Sequence, residues 1–297
     1  MSTPTLERAI PGRARDLGDG FQVRRVLPAP QRMTVGPFIF FDHMGPVQLA
    51  AGHGMDVRPH PHIGLATVTW LFDGEVLHRD SLGSEQLIRP GELNWMTAGR
   101  GIVHSERSPT SARASGAHVH GLQLWVALPD ALEAIEPAFQ HVAADALPEV
   151  DVGGARLRVL AGSAYGVESP AQVHSPLFYV DARLAAGADL ELPMEHTQRA
   201  LYLVGGAVAC DGTTYGPGTM LVFQPGVAVR IRALEATHMV LLGGAPIGQR
   251  HIWWNFVAST AERIEAAKAA WRAGGFPSVP GDTAEFIPLP EDFGRMK

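Results

Sequence analysis

Cysteine is nearly absent: Cys210 is the only one in 297 residues. That excludes an intrachain disulfide framework and any cysteine-rich metal site, and it fits a reducing compartment. Charge is also scarce. Asp, Glu, Lys and Arg make up 18% of the chain, below the roughly 25% of an average soluble protein. Acids outnumber bases, for a net charge of -6, so no broad basic surface for nucleic acid is expected. No apolar run approaches the ~20 residues needed to span a bilayer. The opening MSTPTLERAIPGRARDLGDGF lacks an apolar signal core. These absences together predict a cytoplasmic protein with no membrane and no direct nucleic-acid partner.

What is abundant points to β structure. Gly (33) and Pro (23) are frequent, as many short strands joined by turns require. The length suits two ordinary domains or one large β domain. Residues 1–22 read as loop or weak strand. Phe38–Phe41 follows as an apolar strand candidate ending at Asp42-His43. His43 reads as a turn histidine bonded to backbone beside Gly45-Pro46, with a place near a metal as the alternative.

The chemistry gathers in residues 54–106, whose ends read GMDVRPHPHIG and MTAGRGIVHSE. His60 and His62 are two apart, and so are His104 and Glu106. In a strand, residues i and i+2 point to one face. Each pair thus aims two coordinating groups the same way. Proline before each of His60 and His62 stiffens the first pair and argues against a central, fully hydrogen-bonded strand. The segment between the pairs holds two further strand patterns, Thr67–Phe72, closed by the hairpin turn Asp73-Gly74, and Leu93–Thr97. A small barrel would bring both pairs together on its inner wall. The Gly99-Arg100-Gly101 bend lacks the third glycine and βαβ context of a nucleotide loop. His118 and His120 form another i, i+2 pair, but no partner pair follows, so they are read as lying outside the ligand set.

Residues 129–153 read as an inter-domain connection. A second β-rich segment, about 154–243, repeats the grammar of the first: Leu201–Gly206 echoes Thr69–Gly74, and Tyr215–Phe223 echoes Arg89–Thr97. The ligands do not repeat. Met194-Glu195-His196-Thr197 stands in place of His-Pro-His, and Gln224-Pro225-Gly226 follows where His-x-Glu would be. The second copy is expected to be metal-free. Ser259–Glu262 reads as a capping box with Ser259 at the N-cap, opening a helix to Ala273 that carries Ile264 and Trp271 on one face. Trp253, Trp254 and Phe256 read as core.

Three neutral imidazoles and one carboxylate suit Fe(II), Mn(II), Ni(II), Cu(II) or Zn(II). On octahedral iron they leave two positions open. On zinc they close the site and favour structure or sensing.

Two stretches, Gly54 through His62 with Asp73-Gly74, and Pro90-Gly91 through His104-Ser105-Glu106, resemble the paired motifs of cupins in the form used by the pirin family. So do Phe41–Pro46, Trp95–Gly101, His120–Trp125 and Arg250–Phe256. The resemblance implies a mainly β protein of two tandem cupin-type barrels (a bicupin) with a short C-terminal helix: residues 1–145 as the metal-binding barrel and 146–297 as a degenerate barrel with the helix. It implies one divalent metal, iron(II) first and Mn, Ni, Cu or Zn otherwise, on His60, His62, His104 and Glu106. Many cupins and pirins carry a glutamate where this chain has Ala66, so Glu106 is expected to be the sole carboxylate near the metal. Pirins of one kind resemble quercetin 2,3-dioxygenases. That implies a small aromatic or enolic substrate, dioxygen, and Glu106 as catalytic base. Others are redox-responsive proteins that act through a protein partner. A monomer is expected, because two barrels can shield each other's edges.

Overall fold

The computed structural model of the chain describes residues 5–16 and 22–291. The described residues are predominantly strands, and they fall into two compact units. The units do not follow the expected linear cut after residue 145. One comprises Met44–His141 with Ile247–Lys297, the other Met1–His43 with Val142–Pro246. The terminal segments are exchanged because of where their pairing partners lie. Leu6–Pro11 pairs antiparallel with Thr219–Phe223, so the N-terminus joins the second β segment. The C-terminal helix packs Ile264 and Ala267 against Ile63, Phe256 and Ala258, so the tail joins the first.

In the first of these units, a four-stranded sheet runs in the spatial order Asp56–His62, Ile102–Arg107, Val76–Asp80, Glu85–Ile88. A second sheet includes, in order, Ala138–Val142, Leu93–Thr97, Leu65–Gly74 and His118–Ala127. Asp56–His62 is an edge strand, where Pro59 and Pro61 cost no ladder bond. The tail covers that edge: Ile287 N–H donates to the Pro59 carbonyl at 2.8 Å. The expected strands Thr67–Phe72 and Leu93–Thr97 are both present, the former extended to Leu65–Gly74.

The other unit has an eight-stranded sheet whose main path is Leu6–Pro11, Thr219–Phe223, Gln198–Gly205, Thr237–Gly244, Leu177–Leu184, Ala155–Ala164 and Glu149–Val152. Its smaller sheet has Asp189–Glu191, Arg230–Ala233, Val208–Cys210 and Thr213–Tyr215. Leu157, Phe178, Leu201, Leu221, Phe223 and Leu241 lie in one apolar cluster inside it.

Three local expectations change. Residues 129–153 are not an open connection. They hold a 3-10 turn at Asp130–Leu132 and strands Ala138–Val142 and Glu149–Val152. Residues 1–22 include the strands Leu6–Pro11 and Arg13–Asp16, while 1–4 and 17–21 lie outside the described residues. The C-terminal helix spans Ala261–Arg272 and is capped by Thr260, whose hydroxyl accepts from Arg263 N–H. Ser259 is drawn away: its N–H and hydroxyl both donate to the Glu133 carboxylate at 2.7 Å. No described helix is long and apolar enough to cross a membrane.

Candidate metal centre

The register of the four-stranded sheet assembles the site. His104 lies opposite His60 on one side and Asp80 on the other. His60, His62 and His104 are buried, with one ligand-capable nitrogen each inside a sphere of contacts no wider than 4.8 Å. Their rings sit 4.4–5.0 Å apart, centre to centre. His60 and His62, two apart on one strand, thus lie side by side. Glu106 stands in a second group that shares His104. The ladder is irregular between His104 and Glu106, and the Glu106 carboxylate groups with His104 and a residue the sequence reading passed over, His78.

Hydrogen bonds fix which nitrogen each ring offers. His60 Nδ1 lies 2.8 Å from the Arg58 carbonyl, and His62 Nδ1 lies 3.2 Å from the Asn255 carbonyl. A carbonyl only accepts, so both Nδ1 atoms carry hydrogen and both Nε2 atoms keep a lone pair. Asn255 reaches His62 from a tight hairpin, in which Trp254 holds a left-handed φ of 53°. Non-glycine residues in that region mark local strain, which concentrates at functional sites. His104 Nε2 is buried and has no hydrogen-bond partner among the described residues. An orphaned buried nitrogen is costly unless something else satisfies it. Three converging imidazole lone pairs with a carboxylate nearby are the donor set of a transition metal, so these residues fit the implied metal.

Burial, with the neighbouring rings adding to it, holds His62 and His104 well below the ordinary imidazole range, and burial lowers His60 to about 4. The rings are thus neutral and ready to ligate near neutral pH. Burial raises the Glu106 carboxyl, against the pull of His78, Thr69 and Gln123. Thr69 Oγ1 lies 3.2 Å and Gln123 Nε2 3.4 Å from Glu106 Oε1.

Glu106 is not the only carboxylate close by. Asp80 is fully buried and accepts from His78 Nε2 at 3.0 Å. The signal was present in the sequence as His78-Arg79-Asp80, a fourth i, i+2 pair of polar groups. Ala66 is buried in its strand. His118 is mostly exposed, 3.4 Å from Asp73, and His120 stacks edge-on against Phe72. Neither belongs to the histidine cluster. His43 is a buried strand residue rather than a turn residue, and its Nδ1 meets the Tyr202 hydroxyl at 2.8 Å.

Comparison with known proteins follows the same lines. The family description Pirin matches residues 20–126, and the Pirin C-terminal cupin domain matches residues 179–277. A pirin-like protein of Caulobacter vibrioides is 49% identical over 289 residues, which covers 96% of this chain and all of that one. A crystal structure of quercetin 2,3-dioxygenase from Acinetobacter baumannii superposes with a TM-score of 0.89 at 35% identity, covering 98% of this chain and 97% of that one. At 20% identity and a TM-score of 0.63, the fold is shared with a bacterial pirin, YhhW of Escherichia coli, solved in complex with nickel(II), over 81% of this chain and 99% of that one. Two family matches spanning most of the chain, and close identity over nearly its full length, show that it belongs to the pirin family of two-domain cupin proteins.

Proposed function

We propose that this protein is a metal-dependent dioxygenase of the quercetin 2,3-dioxygenase type, acting on a flavonol-like enol. The metal is held by His60, His62, His104 and Glu106, with iron(II) the first candidate. The observation that carries the reading is the convergence of three buried imidazoles: His60 and His62 have Nδ1 tied to backbone carbonyls, and His104 has a buried Nε2 with no hydrogen-bond partner among the described residues. Likeness to proteins named as quercetin dioxygenases supports the substrate class. When bound, the metal supplies a Lewis acid and a template for the enol oxygens and dioxygen.

The chain's own residues do the rest. Glu106, its carboxyl made more basic by burial, takes the proton of the 3-hydroxyl as the substrate docks. Thr69 and Gln123 hold the Glu106 carboxylate. Trp125 meets the His62 ring edge-on at 5.2 Å and limits its rotation.

The test is aerobic incubation with quercetin of metal-loaded protein, metal-free protein and the Glu106→Gln variant. Ring cleavage by the loaded wild type alone, with metal retained in Glu106→Gln, is the expected result. Absence of any metal-dependent cleavage sinks the assignment for that substrate.

A redox-sensing role exercised through a protein partner is the alternative. It is favoured by one feature: Arg107, next to Glu106, is ion-paired with Asp282 and Glu285 of the C-terminal segment. Oxidation of iron adds a charge beside that link. Equal recovery of partners by reduced and oxidised protein in pull-downs counts against it.

A further inference from the structure

We propose that Asp80 and His78 are positioning residues that set the tautomer of His104 and so keep its Nε2 open to the metal. The idea rests on the proposed metal site, but part of its test does not.

His60 and His62 are oriented by backbone carbonyls. His104 has a side-chain relay instead. Asp80 closes the strand Val76–Asp80 and is fully buried. Its Oδ1 accepts the N–H groups of Leu82 at 2.9 Å and Ser84 at 3.1 Å, which locks the carboxylate to the turn that follows. Oδ2 faces His78 Nε2 at 3.0 Å. Oδ1 already takes two N–H groups, so the carboxylate acts here as an acceptor. An ionised carboxylate only accepts, so His78 Nε2 carries hydrogen.

His78 cannot easily turn away. It is buried and stacks on Phe139 with ring centres 4.4 Å apart and planes inclined by 15°. Its Nδ1 lies 3.5 Å from His104 Nδ1, a long hydrogen bond. Two nitrogens share one proton there. In the tautomer that gives its Nε2 hydrogen to Asp80, His78 Nδ1 is the acceptor, and that proton sits on His104 Nδ1. The lone pair of His104 is then on Nε2, the buried atom without a partner among the described residues. Were His78 to donate from Nδ1, His104 would carry its proton on Nε2 and be closed to a metal. Outer groups of this kind orient metal-bound histidines, and their loss weakens metal binding by roughly 10–100-fold.

Asp80→Asn inverts the relay by its own geometry. Oδ1 still serves the Leu82 and Ser84 N–H groups, so the amide nitrogen must face His78 Nε2. It donates there, His78 donates from Nδ1, and His104 is left protonated on Nε2. Two measurements on the full chain follow. In metal-free protein at alkaline pH, ring nitrogen NMR is expected to show His78 Nε2–H and His104 Nδ1–H in the wild type, and both reversed in Asp80→Asn. Competition titration with Co(II) alone is expected to show binding weaker by about 10–100-fold. If Asp80→Asn does not fold, His78→Phe keeps the stack on Phe139 while removing the acceptor; a mixture of His104 tautomers and weakened Co(II) binding are expected. If His104 keeps its Nδ1 proton in the variant, or the variant binds Co(II) as tightly as the wild type, the inference is overturned. A wild type that binds no Co(II) overturns the metal reading instead, and the NMR comparison still decides the relay.

Discussion

The two β units use one strand grammar for opposite ends. Inside the unit of Met44–His141 and Ile247–Lys297, buried polar groups are dense: His60, His62, Thr69, His78, Asp80, Asn94 and His104. Inside the other, the equivalent hairpin strands carry leucine. Thr69 pairs across from Asn94 in the first, and Leu201 pairs across from Leu221 in the second. The second interior is a continuous apolar cluster, each well-buried side chain contributing roughly 1.5–3 kcal/mol. The first gives up part of that stabilisation to hold imidazoles and carboxylates away from water. One interior gathers an apolar cluster, and the other gathers buried imidazoles. Metal binding is folding free energy for a site of that kind.

Four measurements break or sharpen this contrast. The largest effect is expected from removing a ligand. His60→Ala, His62→Ala and His104→Ala should each lower metal occupancy by more than the ~10–100-fold of an outer-shell change, measured with metal limiting. Full occupancy in all three would erase the distinction between the units. Next comes a cavity in the filled unit. Phe223→Ala, at a residue 1% exposed, should cost about 3–5 kcal/mol in denaturant unfolding while metal affinity stays at the wild-type level.

The third is the pH response of the metal-free protein. His60 falls from an ordinary 6.5 to about 4 on folding, so the unfolded chain binds protons that the folded chain refuses. Stability should be complete above 6.5 and decline as pH drops toward about 4, by on the order of 1–3 kcal/mol. His60→Ala should flatten the decline in a series of denaturation midpoints, and an unchanged slope would argue that the ring is not buried neutral. The smallest effect is expected at His118→Ala and His120→Ala, which lie outside the cluster and should leave metal occupancy unchanged. If either empties the site while His104→Ala does not, the pairing of the two ligand strands is wrong.

Part of this was readable from local spacing. The alternation of a strand is a property of neighbouring residues, so His60 with His62, and the strands at Thr67–Phe72 and Leu93–Thr97, could be placed before any fold was known. Competition between distant partners was not readable that way. Ser259 looked like a helix cap until Glu133 took its donors, and the cap passed to Thr260. His43 looked like a turn residue, but Tyr202 holds it within a strand. Asn255 acts through its backbone carbonyl, which no residue type announces.

The sequence by itself determined the β class, the two-fold repetition and the family, and it singled out the three imidazoles that the fold groups together, because these follow from periodicity and from motifs a few residues long. Only the tertiary structure decided that the terminal segments change units, that Glu106 stands toward His78, and that His78, paired with Asp80, meets His104 while the Asn255 carbonyl meets His62. Those outcomes depend on sheet register and on which of several donors and acceptors, tens to hundreds of residues apart, meet in a buried place where each polar group must find a partner.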